Sequence, residues 1–156
     1  MPIERIMALD VGERRIGVAV SDPLGITVRP VGTVEISADK SVSGIAAAIT
    51  AVVAYVRQLE PRRLVVGDPR LPSGDRGPRA DMVDAFVADL TIGLTAEGSL
   101  GPLPIERWDE SYTTETALAR LRSRGVKVGT AKERTRAGID AEAAAVILEE
   151  WLRAHA

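Results

Sequence analysis

Residues 6–22, IMALDVGERRIGVAVSD, constrain the fold of this chain more than any other stretch. An apolar run stops at Asp10, Gly12 follows two residues later, and a second apolar run begins at Ile16. This is the pattern of a buried strand, a short turn and a returning strand, over about residues 5–21. Alternation puts Ile6, Ala8 and Asp10 on one face of the first strand and Met7 and Leu9 on the other. Both faces are otherwise apolar, so a carboxylate is expected at the end of a central strand. A lone acid in such a place is costly unless something pairs with it, and the rest of the chain has to supply its partners.

The remaining elements follow from changes of hydrophobic period. Residues 26–37 carry Val28, Val31, Val34 and Ile36 but are broken by Pro30, which predicts a third strand at a sheet edge. Over residues 41–59 the apolar positions recur at steps of three and four, from Val42 through Ile45, Ile49, Val52 and Val56 to Leu59, the spacing of an amphipathic helix closed by Pro61. Leu64-Val65-Val66-Gly67 then reads as a buried strand reached through a crossover helix. Residues 68–79, with three prolines and two glycines, are expected to form a loop, and ordered loops of that length are often functional. A helix is predicted over 80–94, a Gly/Pro/Ser connector over 97–104, and a fifth strand over 104–108 that ends in Asp109-Glu110. Further helices are predicted over 113–124 and 140–154, with a basic, mobile loop at 125–138 between them. Three antiparallel N-terminal strands followed by two parallel strands reached through helices make an α/β fold. Its sheet is mixed and five-stranded, with helices on both faces.

Length and composition narrow the chemistry. The 156 residues suit a single domain with a core large enough to need no staples. There is no cysteine and the one histidine is His155, so catalysis would fall to carboxylates, hydroxyls, Lys or Arg. No signal pattern and no apolar run of membrane-spanning length is present, and a cytoplasmic location without membrane contact is expected. The net charge of −2 gives no reason to expect nucleic-acid binding, but its distribution does. Seven basic residues stand against Glu133 alone between Arg120 and Arg136, and Arg62, Arg63, Arg70, Arg76 and Arg79 against Asp68 and Asp75. Seventeen of the twenty basic residues are arginine, the better fork for phosphate.

Three acids stand out by topology: Asp10 at the end of the first strand, Glu110 just past the fifth, and Asp140 at the start of the last helix. Asp140, Ala144, Ile147 and Trp151 fall on one helix face, which is apolar and must meet the sheet. Three carboxylates converging at strand ends would make a hard-oxygen site suited to Mg²⁺ or Mn²⁺. Such a site can activate water against a phosphodiester. Each acid also has a local reading: Asp10 as a turn residue, Glu110 as favourable charge near a helix start, Asp140 as an N-cap. The last lacks the second half of a capping box, because residue 143 is Ala.

Taken together, Ala8-Leu-Asp10-Val-Gly12, Arg15-Ile-Gly17-Val-Ala-Val-Ser21-Asp22, Val65-Val-Gly67 with Pro69 and Gly74, Trp108-Asp-Glu110 with Thr113-Thr114, and Ile139-Asp140-Ala with Ala143-Ala144 and Ile147-Leu148 resemble the YqgF/RuvX family. This is a group of pre-16S ribosomal RNA nuclease or Holliday junction resolvase-like proteins, and the likeness runs in order from about residue 6 to 152. The resemblance implies an RNase H-like fold and a metal-dependent nuclease whose acidic triad falls on Asp10, Glu110 and Asp140. It departs at Ser111, where the family pattern has Arg, and at Asp68, where it has an apolar residue. Asp68 could serve as a spare metal ligand, but is read first as a solvent-facing loop acid before Pro69.

Arg14 and Arg15 in the hairpin turn are candidates to hold a phosphate, against the plainer reading of an exposed turn. Arg70, Arg76, Arg79, Arg124, Lys127, Lys132, Arg134 and Arg136 are candidates to grip a nucleic-acid backbone, and Tyr112 to stack on a base. Trp108 and Trp151 are expected in the core. The partners implied are structured RNA, an rRNA precursor or branched DNA. A junction resolvase should be a two-fold dimer, and no dimer seam is visible in the sequence. That leans toward RNA and leaves monomer and homodimer both open. The competing classes are a phosphate-handling relative of the actin-like and sugar-kinase ATPases, for whose two lobes the chain is too short, and a non-catalytic RNA-binding module.

Overall fold

The computed structural model describes residues 4–37, 42–71, 73–109 and 113–156, with backbone alone at 42 and 43. Glu110 and Tyr112, two of the site residues expected from sequence, lie outside the described residues.

β1 (Ile6–Val11) and β2 (Arg15–Ser21) form the predicted hairpin, with Asp10 directly across from Gly17. The turn is closed by the Gly12 amide on the Arg15 carbonyl at 2.9 Å. β3 (Val28–Glu35) pairs antiparallel with β2, and a bulge opposite Val18 and Ala19 leaves Val31 unmatched in the ladder. Asp22 organises the loop before it, its Oδ1 accepting the amides of Ile26 and Thr27. The Thr27 amide, ahead of Ile26, holds this carboxyl below its usual range.

α1 (Val42–Leu59) crosses to β4 (Arg63–Asp68), which lies parallel to β1 with Leu9 beside Val66. α2 (Pro78–Glu97) crosses to β5 (Ile105–Asp109), parallel to β4. The order β3-β2-β1-β4-β5 puts Pro30 on an edge strand, where its missing donor costs least, as the sequence suggested. The mixed five-stranded sheet is the one expected.

Two apolar layers enclose it. Met7, Leu9, Ile16, Val18, Val20, Leu64 and Val66 face Val52, Val56, Val83, Phe86 and Leu90 of α1 and α2. Ile6, Ala8, Val65 and Ala19 face the last helix, α5 (Ile139–Ala154), through Ala144, Ile147, Leu148 and Trp151. α3 (Thr113–Ser123) closes against α5 through Ala117, Leu118 and Leu121. Asp10 therefore belongs to the α5 face of the sheet, and Asp68, in alternation with Leu64 and Val66, to the opposite face. Trp151 is buried in the α5-side core, and Trp108 packs against that core half-buried. No helix among the described residues is long and apolar enough to cross a membrane.

One prediction needs correcting. Residues 125–138 are not a featureless loop, because α4 (Ala131–Arg136) forms within them. It is nucleated by a complete capping box. The Thr130 hydroxyl accepts the Glu133 amide at 3.1 Å, and the Glu133 carboxylate accepts the Thr130 amide at 3.0 Å. Thr-x-x-Glu is the sequence signature of that box, and the density of basic residues around it hid the signal.

Candidate active site

Asp10 is half-buried at the end of β1, on the face that α5 covers. What brings Asp140 to it is Gly17. A Cβ at position 17 would lie 1.8 Å from the carbonyl oxygen of Asp140 and 2.2 Å from its carbonyl carbon. Only a residue without a side chain lets the first turn of α5 rest directly on β2. Asp10 is the cross-strand partner of Gly17, and such pairs have Cα atoms about 4.5–5.5 Å apart. The Asp140 backbone is thus seated beside Asp10, one strand away.

Asp140 is not the N-cap of α5. That position is Gly138 in the left-handed region, φ 75°, without a side-chain cap, and Asp140 lies inside the first turn. There the positive end of the helix dipole favours its charge. Arg15, at the start of β2, pairs with it, Nε donating to Oδ2 at 2.9 Å. The two side chains keep 32% and 24% of their surface exposed, so the pair is reachable from solvent. Arg15 is therefore tied to a carboxylate, while Arg14 beside it is exposed.

The basic candidates divide the same way. Arg79, Lys127, Lys132 and Arg136 are exposed. Arg124 is paired at 2.8 Å with Glu142, a carboxylate buried on α5, and Arg134 donates to the Val128 carbonyl. Arg70 and Arg76 are held by Asp68.

Asp68 is the second correction. It is not a solvent-facing loop acid but is 3% exposed. Its neighbours are Arg107 Nη2 at 2.8 Å, Arg70 Nη2 at 3.0 Å and Arg76 Nη1 at 3.3 Å. Arg76 and Arg107 continue to Asp84 on α2. The hydrogen bond from Arg107, and after it that from Arg76, keeps the Asp84 carboxyl below its usual range. The signal was present in the sequence: alternation from Leu64 through Val66 puts residue 68 on a buried face, where a carboxylate must find cations.

Among the described residues no three acids or histidines stand close enough to form a metal cluster. What they provide is two hard-oxygen donors brought to one junction: the Asp140 backbone rests beside Asp10, and each of the two residues is partly exposed. That suits an ion such as Mg²⁺, which is commonly held by one or two carboxylates together with waters and substrate phosphates.

Comparison with known proteins gives the family. The sequence pattern of a family described as "RuvX: Holliday junction resolvase" matches residues 4–154, nearly the whole chain. The chain belongs to the RuvX family. RuvX relatives named "Putative pre-16S rRNA nuclease" include one from Chloroflexus aurantiacus, 37% identical over 149 residues that cover 96% of this chain and 86% of the relative. Another, from Streptomyces coelicolor, is 38% identical over 148 residues, covering 95% and 79%. The RuvX fold is shared with solved resolvases. Thermus thermophilus RuvC in complex with a Holliday junction substrate superposes with TM-score 0.60 at 17% identity, over 97% of this chain and 95% of that one. The yeast mitochondrial Holliday junction resolvase Ydc2 gives 0.54 at 12% identity, over 97% and 79%. The fold is the RNase H-like one that the sequence resemblance implied, and the family is one of nucleases, hydrolases that act on phosphodiester bonds.

Proposed function

We propose that this chain, acting as one nuclease domain over residues 1–156, hydrolyses phosphodiester bonds with Mg²⁺ or Mn²⁺ held by Asp10, Glu110 and Asp140. We take its first substrate class to be the precursor of 16S ribosomal RNA, in the cytoplasm. The observation that carries this reading is the seating of the Asp140 backbone on Gly17, the cross-strand neighbour of Asp10. Two carboxylate residues brought to one junction supply the hard-oxygen donors that such an ion takes.

When bound, the divalent ion supplies Lewis acidity toward a phosphoryl oxygen and a water of lowered pKa. The chain's own residues do the rest. Asp10 presents its oxygens from a rigid strand and Asp140 from the first turn of a helix whose dipole favours negative charge there. Arg15 donates to Oδ2 of Asp140 and fixes that side chain, which would help hold a cation when one is bound. Arg14, Arg79, Lys127, Lys132 and Arg136 are exposed and offer positive charge to a polyanionic substrate. Tyr112 is the candidate to stack on a base next to the cut.

A second reading is cleavage of a four-way DNA junction, favoured by the family description and by the likeness to RuvC. Paired cuts at a junction require a two-fold dimer. The deciding experiment offers single-stranded RNA, an rRNA precursor and a four-way junction side by side with Mg²⁺ and with Mn²⁺, comparing wild type with Asp10→Asn and recording oligomeric state by light scattering. Cleavage of the precursor by a monomer supports the first reading. Symmetric cuts in the junction by a dimer support the second. Binding without cleavage of any of the three overturns both.

A further inference from the structure

Asp68 and its three arginines remain unexplained by the acidic site. They lie toward the same end of the sheet as Asp10, because β1 and β4 run parallel with Leu9 beside Val66. Strands are spaced about 4.8 Å apart, so the segment leaving Asp68 starts within about 10 Å of Asp10. Its described residues do not form a slack loop. Arg70 and Arg76 are bridged as in a hairpin. The Leu71 amide meets the Asp75 carbonyl at 2.9 Å, and the Gly74 amide meets the Leu71 carbonyl at 2.8 Å. Both legs of this small hairpin are tied to one buried carboxylate, and Arg107 on β5 and Asp84 on α2 brace it from behind.

Burying a carboxylate is costly unless it is paired, and three guanidiniums are more than pairing needs. Three arginines against Asp68 and Asp84 leave one net positive charge. Arg70 and Arg76 keep 37% and 40% of their side-chain surface exposed. A guanidinium has five N–H donors in a fixed fork, so engagement with Asp68 orients it without exhausting it. An arginine already held in place loses less entropy when it meets a phosphate than one free in solvent.

We propose that Asp68 is a positioning residue that holds Arg70 and Arg76, at the same end of the sheet as Asp10, as a preformed contact for the backbone of the nucleic-acid substrate. The inference rests on the nuclease reading for its substrate, but it makes a prediction of unusual sign. Removing a negative charge near a polyanion should tighten binding through simple charge. If Asp68 holds the arginines, its removal weakens binding instead.

The test is fluorescence anisotropy of a labelled RNA 20-mer and a DNA 20-mer with Ca²⁺ in place of Mg²⁺, over a series of salt concentrations. It compares wild type, Asp68→Asn, Arg70→Ala and Arg70→Lys, with cleavage measured in parallel in Mg²⁺. Arg70→Ala, at an exposed position that does not threaten the fold, should lower the slope of log K against log salt by about one. Arg70→Lys should restore the slope but only part of the affinity. Asp68→Asn should bind about tenfold more weakly than wild type with kcat little changed. Equal or tighter binding by Asp68→Asn, or an unchanged slope in Arg70→Ala, overturns the proposal even where wild type cleaves. A wild type that binds and shows these losses but never cleaves supports the proposal and contradicts the nuclease reading. Absence of any binding by wild type overturns both.

Discussion

Gly17 shows how much can depend on an absent side chain. It has no chemistry of its own, yet a methyl group there would overlap the Asp140 carbonyl at 1.8 Å. No side chain can turn aside to relieve it, since both sides of the contact are backbone in regular structure. Gly17→Ala should therefore destabilise the protein by about 1–3 kcal/mol or more, the range for forced overpacking. It should also reduce nuclease activity at temperatures where the protein is still folded, because α5 must lift and carry Asp140 away from Asp10. Denaturant melts paired with activity assays check both parts. Wild-type activity in a folded Gly17→Ala protein would mean that the seating does not set the site. Asp68 makes the complementary point: one carboxylate fixes three arginines, and its side chain tells more about the 68–79 segment than the prolines and glycines around it do.

At the scale of elements, stability is placed where the site needs it. α4 depends on its capping box, and Thr130→Ala should cost about 0.5–2 kcal/mol, felt as faster amide exchange over 131–136 and little elsewhere. α5 contains a small liability in Glu150, whose carboxyl is pushed above its usual range first by burial and further by Asp109. An acid with a raised folded-state pKa adds most to stability below its unfolded value near 4.5 and loses that contribution as pH rises through the folded value. Glu150→Gln should then raise the melting temperature by about 1–2 °C at pH 7, a surface-sized effect, and by less at pH 4. A lower melting temperature at pH 7 would show that the pull of Arg153 outweighs burial.

The elements were largely legible in the sequence, because nearly continuous apolar runs at 6–11 and 64–67 specify strands buried on both faces, and apolar spacing of three and four at 42–59 and 140–151 specifies helices with a buried face. That Asp10 shares Ala8's face and Asp140 that of Ala144 followed from the same periods. What did not follow was contact at a distance. Nothing local to residue 17 says that a helix begins 122 positions later on top of it. Likewise, nothing in the 62–79 charge cluster distinguishes Arg79, which is exposed, from Arg70 and Arg76, which are held. Alternation could have revealed the buried Asp68, but the Pro after it read more strongly as loop.

For the whole molecule, the formal charge of −2 hides an asymmetry that matters to a polyanion. The cations tied to Glu142 and Glu149 serve the fold, Arg15, Arg70 and Arg76 are held in place by Asp140 and Asp68, and Arg14, Arg79, Lys127, Lys132 and Arg136 face solvent. Each of these five, changed to Ala, should weaken nucleic-acid binding uniformly across sequences and lower the salt slope by about one where it meets a phosphate. A variant that changes sequence preference instead would argue for base reading rather than backbone contact. The central claim is that Asp10 and Asp140 act together on a phosphodiester through a shared divalent ion. Its most direct test is cleavage of a 5′-labelled rRNA precursor by wild type and by Asp10→Asn, each titrated with Mg²⁺ and Mn²⁺ after stripping with chelator. The account predicts metal-dependent product with wild type, none with chelator, and a loss of at least about a hundredfold in Asp10→Asn with folding unchanged, as expected when a group that stabilises transition-state charge is removed. Equal cleavage by the two proteins, or cleavage indifferent to chelator, would contradict it.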